Sequence, residues 1–202
     1  MKFNLVQLLV GEPVRVRYVT RFSTCRVLNS ETVAEHSYYT ALYSMVIADW
    51  VNSQLSADPL VDTEVLLRRA LLHDLEEART GDMPRFFKHG DAELCAKIEE
   101  SGLRAFHEVW EGVQMDEQTR MLYAGSWCNA KDDSPEGNVL AFADFLSVLA
   151  YVAEELRSSN RTMREHLISM DEYADSFDHE RFEFLRPLIV EAQTFMRDEV
   201  MR

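Results

Sequence analysis

Apolar residues recur every three or four positions in several stretches of this chain, which is the spacing of amphipathic helices. The first such helix is predicted over residues 33–55, with Ser30 or Thr32 available to cap its start. The second is predicted to begin after residue 62 or 63, to carry an almost continuous apolar run to His73, and to end near Gly81. This second helix is therefore expected to be buried on most sides.

Further segments complete the predicted architecture. Helices are predicted over residues 91–110 and 139–157, where apolar residues again fall on one face. Residues 123–138 contain two glycines and a proline and are predicted to form a loop. A closing helix is predicted over residues 178–201, with Pro187 as a kink or break. The pattern predicts an all-α fold, a compact helical bundle that forms a single domain.

Composition and charge narrow the class of protein. The 202 residues are 47% hydrophobic and include only 7 Gly and 5 Pro, which suits a helix-rich globular chain. A formal net charge of -14 argues against binding of long nucleic acid through a broad basic surface. The first apolar run stops at Gly11, too early for a membrane span, so a cytoplasmic protein is expected. The three cysteines lack CxxC spacing and are interpreted as reduced thiols.

Three of the predicted helices carry ionisable groups where their periodicity would place core residues. These groups are His36, the adjacent pair His73 and Asp74, and Asp144. Leaving them buried and unpaired would be costly. One divalent metal ion would resolve this, because two imidazoles and two carboxylates supply four ligands and most of the balancing charge. The donor set accepts Co²⁺, Mn²⁺, Mg²⁺ or Zn²⁺, so the identity of the ion stays open.

The order of these residues, H, then HD, then D, resembles the signature of the HD-domain phosphohydrolases. The segments "ETVAEHS", "LLHDLEEARTGDMP" and "AFADFLSVLAYVAEEL" are similar to the corresponding segments of bacterial 5'-deoxynucleotidases. The resemblance extends over about residues 21–156 and is most specific through Thr80, Gly81, Asp82 and Pro84. Compact phage-type deoxynucleoside triphosphohydrolases share the same core. The resemblance implies an all-α metal-dependent phosphohydrolase acting on small deoxynucleotides.

The same resemblance implies a role for several further residues. The position of Glu77 activates the attacking water in that family, Asp82 matches a residue that contacts the sugar, and Arg21 matches an arginine that holds phosphate. Glu77 is also favoured by spacing alone, because it lies four residues after His73 on the same face of a helix. Neighbouring Glu76 is expected to be a surface glutamate.

Cationic groups near this segment could support a bound phosphate. They are Arg21, Arg26, Arg79, Arg85 and Lys88, of which Arg21 and Lys88 match family positions. Thr80 could bind phosphate or orient Asp74, and its alternative role is to cap the end of a helix. Phe22 could stack against the nucleoside. It stands where the resembled nucleotidases have a tryptophan that helps to exclude a ribose 2'-hydroxyl, which makes deoxyribose selection less strict.

The leading hypothesis is release of phosphate from 5'-deoxynucleoside monophosphates, and the main alternative is release of triphosphate from a deoxynucleoside triphosphate. A binuclear phosphodiesterase would need extra histidines, for which only His89 and His107 are available in the right interval. A nucleotide-binding protein without turnover is a further alternative.

A homo-oligomer is also expected, since apolar residues near the chain's C-terminal half could form a contact between copies. The residues concerned are Trp110, Phe182, Phe184, Leu185 and Leu188. Their alternative role is to form the core.

Overall fold

Helices joined by short 3-10 segments and loops build the protein, as the hydrophobic pattern predicts. The computed structural model describes residues 3–55, 58–88 and 91–201, with the side chains of residues 85, 86 and 201 outside that description. Within these ranges no helix is long and apolar enough to cross a membrane. The α-helices in chain order are α1 (Leu5–Val10), α2 (Val33–Ser53), α3 (Thr63–Leu72), α4 (Glu77–Thr80), α5 (Arg85–Lys88), α6 (Ala92–Trp110), α7 (Glu117–Cys128), α8 (Pro135–Arg157), α9 (Arg164–Ala174) and α10 (Arg186–Met201).

The predicted second helix is interrupted at the histidine-aspartate pair. Helix α3 ends at Leu72, residues 73–76 form turns, and α4 begins at Glu77. Within this turn the hydrogen bonds join residues three apart. The amide of Leu75 donates to the carbonyl of Leu72, and the amide of Glu77 donates to the carbonyl of Asp74. The tighter bonding changes the direction in which successive side chains leave the backbone. The periodicity could not reveal this change, because the apolar pattern continues through it.

The predicted loop over residues 123–138 is wrong at both ends. Helix α7 continues to Cys128, and its start is capped by Asp116, whose side chain accepts a hydrogen bond from the amide of Thr119. Helix α8 begins at Pro135, a residue that suits the first turn because it has no amide hydrogen to satisfy. Its cap is Ser134, which accepts from the amide of Gly137. The glycines and the proline therefore lie inside or at the start of helices.

The helix predicted over residues 178–201 is divided near Pro187, as expected, but only its second part is an α-helix. A 3-10 helix over Glu180–Leu185 precedes α10, so the regular α-helix starts at Arg186 and the proline lies in its first turn. Helices α1 and α9, and a 3-10 helix over Glu12–Arg17, were not predicted. Helix α1 and the 3-10 helix contain only six residues each, too few to establish a helical periodicity.

The chain divides into two compact units, and the single-domain organisation stays a prediction. The first unit comprises Met1–Arg26, Ser30–Tyr38 and Leu71–Ala130. Its core is an apolar cluster formed by Leu72, Leu75, Ala78, Phe106, Val109, Trp110, Val113, Met115 and Ala124. Trp110 is thus a core residue, not part of an exposed contact for a second copy.

The second unit comprises Val27–Asn29, Tyr39–Ala70 and Lys131–Arg202. Aromatic rings fill its core, where Phe177 contacts Phe142, Phe145, Tyr173 and Phe182 with ring centroids 5.0–5.4 Å apart. Phe182 and Leu185 are buried here, so these residues also form core instead of the proposed contact between copies. The homo-oligomer stays a prediction.

Candidate active site

Two histidines and an aspartate from the first unit form the candidate metal centre. His36 lies on α2 and is fully buried, while His73 and Asp74 lie in the turn that follows α3. The Nε2 atom of His73 is 3.1 Å from Oδ2 of Asp74, and the Nε2 atom of His36 is 3.6 Å from the same oxygen. The turn thus brings the HD pair onto the histidine of α2, which is the grouping that the sequence predicts.

The chemistry of these donors fits a divalent cation. One ligand atom from each of the three residues lies within 4.8 Å of the others, and imidazole nitrogen with carboxylate oxygen is a donor set that several transition metals accept. The HD-type arrangement in this unit therefore could hold a metal ion.

Asp144, the predicted fourth ligand, belongs to the second unit. It lies on α8, and its Oδ2 accepts a hydrogen bond of 2.5 Å from the Nζ of Lys131. Its role as a ligand stays a prediction.

Glu77 is buried beside the metal group. Only 1% of the residue is exposed, and one carboxylate oxygen of Glu77 lies within 4.8 Å of ligand atoms of Asp74 and Glu76. Its Oε1 accepts a bond of 2.7 Å from the Nζ of Lys88. Its Oε2 is buried and has no hydrogen-bond partner among the residues that the structure describes. Glu77 therefore combines a paired oxygen with an oxygen that can still accept a proton.

Glu76 is a buried residue, and the expectation of a surface glutamate is wrong. Its Oε2 accepts a hydrogen bond of 2.6 Å from the indole of Trp127 on α7. Gly102 on α6 makes room for that indole, since a Cβ on Gly102 would lie 3.1 Å from the ring. Sequence reasoning missed this pair because Glu76 and Trp127 are 51 positions apart.

Three neighbouring carboxylates give this site unusual electrostatics. Burial, and then the charge of Asp74, raise the pKa of Glu76 to about 7. The same two causes raise the pKa of Glu77 above its ordinary value, against the opposing effect of Lys88. Burial alone would lower the pKa of the Lys88 ammonium, but the charges of Glu77 and Asp74 outweigh it and raise that pKa. The carboxylates of Asp74, Glu76 and Glu77 therefore favour the binding of a cation beside them.

Three of the predicted phosphate and sugar residues, Arg21, Phe22 and Asp82, lie together at the base of the loop formed by residues 21–31. Arg21 donates a hydrogen bond of 2.8 Å to Glu31, and its guanidinium lies 5.5 Å from the ring centroid of Phe22. Phe22 has a φ of 54°, in the left-handed region that bulky residues rarely adopt. Its amide donates a bond of 3.2 Å to Oδ2 of Asp82. Asp82 thus holds the backbone of Phe22, a contact that the sequence did not reveal.

Comparison with known proteins assigns the chain to a family. A sequence model described as 5'-deoxynucleotidase YfbR-like matches residues 12–191. The chain belongs to the YfbR-like 5'-deoxynucleotidase family. Among curated relatives, a 5'-deoxynucleotidase of Pectobacterium atrosepticum is 28% identical over 150 residues, which cover 72% of this chain and 71% of that one. The family match and its relatives indicate a hydrolase, in agreement with the resemblance read from the motifs.

Solved structures share the fold at lower identity. A protein from Pyrococcus horikoshii superposes with a TM-score of 0.71 at 19% identity, over 95% of this chain and 99% of that one. An HD-domain phosphohydrolase from Listeria innocua superposes with a TM-score of 0.66 at 20% identity, over 94% and 98% of the two chains. These likenesses confirm the predicted all-α HD-type fold.

The other residues that the sequence singled out in this YfbR-like chain have contacts or exposures of their own. The hydroxyl oxygen of Thr80 lies 3.4 Å from the carbonyl oxygen of Glu76 and 3.2 Å from that of Gly81, and it can donate its hydrogen to either. Arg79 pairs with Glu108 at 2.8 Å. His107 is exposed on α6, while His89 and the side chain of Arg85 lie outside the described residues.

Proposed function

We propose that the chain hydrolyses 5'-deoxynucleoside monophosphates to a deoxynucleoside and inorganic phosphate, with the help of one divalent metal ion. The observation that carries the proposal is the buried Glu77, whose Oε2 is open to accept a proton and which adjoins the His36, His73 and Asp74 group. Membership of the YfbR-like family and the curated 5'-deoxynucleotidase relatives support the choice of substrate.

His36, His73 and Asp74 would hold the metal ion, with Asp144 as the proposed fourth ligand. Because these residues supply only four ligands, further coordination positions would stay open for a substrate oxygen. A divalent ion bound there would act as a Lewis acid towards the phosphoryl group and would lower the pKa of water.

Glu77 is the proposed general base. As the water oxygen forms its bond to phosphorus and the bond from phosphorus to the 5'-oxygen breaks, Oε2 of Glu77 takes one proton from the water. The departing 5'-oxygen takes up a proton from solvent and leaves as the nucleoside hydroxyl. Glu77 then releases its proton to solvent, which completes the balance. Burial suits this role, since it raises the pKa of Glu77 and makes its carboxylate a stronger base.

Lys88 and Arg21 are the proposed phosphate contacts. The Nζ of Lys88 already lies 2.7 Å from Glu77, so a phosphate close to the base would also be close to this cation. Arg21 is fixed in position by its 2.8 Å bond to Glu31. Its planar guanidinium suits the paired oxygens of a phosphate. Both cations would offset the charge that builds up on the phosphoryl oxygens as water attacks.

Phe22 and Asp82 are proposed to select the sugar. The left-handed backbone of Phe22 is held by Asp82, so one contact ties together the two residues that the sequence assigned to the deoxyribose. An apolar ring against the 2' carbon would leave a ribose hydroxyl without a hydrogen-bond partner, at a cost of about 1–3 kcal/mol. Preference for deoxyribose is therefore expected, without complete exclusion of ribose.

A product screen tests the proposal. The purified protein is incubated with each 5'-deoxynucleoside monophosphate and triphosphate in the presence of Co²⁺, Mn²⁺, Mg²⁺ or Zn²⁺, and products are separated by chromatography. Inorganic phosphate and deoxynucleoside from a monophosphate are expected. Triphosphate as the product would replace this reaction with triphosphohydrolysis, and the absence of product from every nucleotide would overturn both versions.

A further inference from the structure

A cavity opens in the first unit, at the corner between α1 and the 3-10 helix Glu12–Arg17. Its volume is about 440 Å³, which lies in the range of ligand-binding pockets. The lining residues are Leu9, Val10, Gly11, Val14, Arg15, Arg17, Tyr18, Val19 and Ala78. None of them belongs to the metal group or to the proposed phosphate and sugar contacts, so the cavity is a separate feature of the unit.

The local sequence makes this corner. Gly11 ends α1, and a Cβ at Gly11 would lie 2.3 Å from the carbonyl oxygen of Gln7, so only glycine allows the chain to turn so tightly here. The 3-10 helix that follows has three residues per turn, which aligns side chains three positions apart. Arg17 therefore aligns with Val14, and Tyr18, the residue after the helix, lies on the same edge as Arg15. Each of these two edges of the 3-10 helix thus carries one arginine and one apolar or aromatic residue.

Charge marks the cavity as a place for an anion. The chain carries a formal charge of -14, yet the nine lining residues include two arginines and no acidic residue. Arg15 pairs with Glu12 at 3.0 Å, whereas Arg17 makes no ion pair with any residue that the structure describes. Each of two edges of the 3-10 helix thus contributes one arginine to the lining, and guanidinium groups supply the planar, multiple donors that bind phosphate well.

Exposed apolar groups also line the cavity. Tyr18 is 77% exposed and Val10 is 72% exposed, and Leu9 beside them is also exposed. Side chains of this kind contribute favourable free energy when a partner covers them. A planar ring could lie against Tyr18 while its apolar edge faces Leu9 and Val10, with the arginines nearby to hold a charged group.

We propose that this cavity binds a phosphate ester of a planar aromatic compound, of which a nucleotide is the ordinary biological example, at a site separate from the metal centre. The phosphate contacts Arg15 and Arg17, and the planar group packs on Tyr18 against the aliphatic wall. The proposal does not depend on the reaction proposed for the metal group.

The test counts bound nucleotide in the full-length, metal-loaded protein that carries Glu77→Gln, so that the probe is not consumed. Equilibrium dialysis with deoxyadenosine monophosphate gives the number of molecules bound per chain at saturation. The decisive result is the loss of one bound nucleotide per chain when Arg17→Ser or Tyr18→Ala is added. A fall of at least tenfold in the affinity for one of the bound nucleotides has the same meaning. Arg104→Ser, which changes an exposed arginine on α6, is the matched control and should leave the count unchanged.

The outcomes separate the two proposals. A fall from two equivalents to one supports both a cavity site and a site at the metal group, and a fall from one to zero supports the cavity site alone. An unchanged count in both Arg17→Ser and Tyr18→Ala overturns the cavity site, whatever the metal group binds. Equal binding of deoxyadenosine without its phosphate, insensitive to Arg17→Ser, would also overturn it, because the arginines would then have no role.

Discussion

Trp127 donates a hydrogen bond of 2.6 Å from its indole nitrogen to Oε2 of Glu76, two positions after the candidate metal ligand Asp74. The bond joins α7 to the turn that carries the HD pair. Glu76 is 8% exposed, so its carboxylate depends on this donor in place of water. The contact therefore stabilises the segment that presents His73 and Asp74 to His36.

Trp127→Phe should lower stability, since it keeps an aromatic ring over Gly102 but removes the donor to Glu76. The expected loss in the free energy of unfolding is about 2 kcal/mol, the scale of a hydrogen bond to a charged group. Urea denaturation followed by circular dichroism measures it. The control is Trp50→Phe, because the indole of Trp50 donates no hydrogen bond to a described residue. Equal losses in the two variants would show that ring size matters and the bond does not.

Glu76→Gln should change how stability depends on pH in chelator-treated protein. The pKa of Glu76 is raised from 4.5 to about 7 on folding, so the folded state binds more protons between these pH values. The contribution of Glu76 to the stability of the wild type must then fall as pH rises through this window. Glutamine stays neutral and can still accept from Trp127. The variant should match the wild type near pH 4.5 and exceed it by on the order of 3 kcal/mol above pH 7.

Thermal denaturation of both proteins from pH 4.5 to 8 tests this expectation. An advantage of Glu76→Gln that is the same at every pH, or that shrinks as pH rises, would contradict the assignment of a raised pKa to Glu76.

Asp144→Ala should lower metal affinity by about 10- to 100-fold or more if Asp144 is the fourth ligand. Lys131→Ala is the informative comparison, because Lys131 donates to the same carboxylate and is not a ligand. Metal content after dialysis against a buffered ion, measured by mass spectrometry, should fall in the first variant and persist in the second. Similar metal content in both variants would show that Asp144 is not a ligand.

Asp82→Ala should reduce the preference for deoxyribose, since Phe22 would lose the acceptor that holds its left-handed backbone. The strain at such a residue is about 1–3 kcal/mol, which the surrounding contacts must offset. Asp82→Asn keeps a side-chain oxygen as acceptor and should retain more of the preference. The measurement is the ratio of kcat/KM for a deoxynucleotide to that for the matching ribonucleotide. A wild-type ratio of one would remove Phe22 and Asp82 from sugar selection.

The sequence predicted the parts of the site that lie in one helical pattern or one short motif. His36, His73 and Asp74 stood out because ionisable groups interrupt apolar faces, and the structure does group them. It could not show that Glu76 is buried, because its partner Trp127 comes from a distant helix. The loop predicted over residues 123–138 was wrong because Gly125 lies inside α7 and marks no turn. The caps Asp116 and Ser134 were the better signals for the helices there.

The paired measurement of bound metal and turnover in Glu77→Gln tests the central claim most directly. If Glu77 is the general base, the variant should keep the wild-type metal content and should release phosphate from a deoxynucleoside monophosphate about 100-fold more slowly or worse. Glu100→Gln, an exposed change on α6, should leave both quantities unchanged. Wild-type turnover in Glu77→Gln, or loss of metal in step with turnover, would contradict the account.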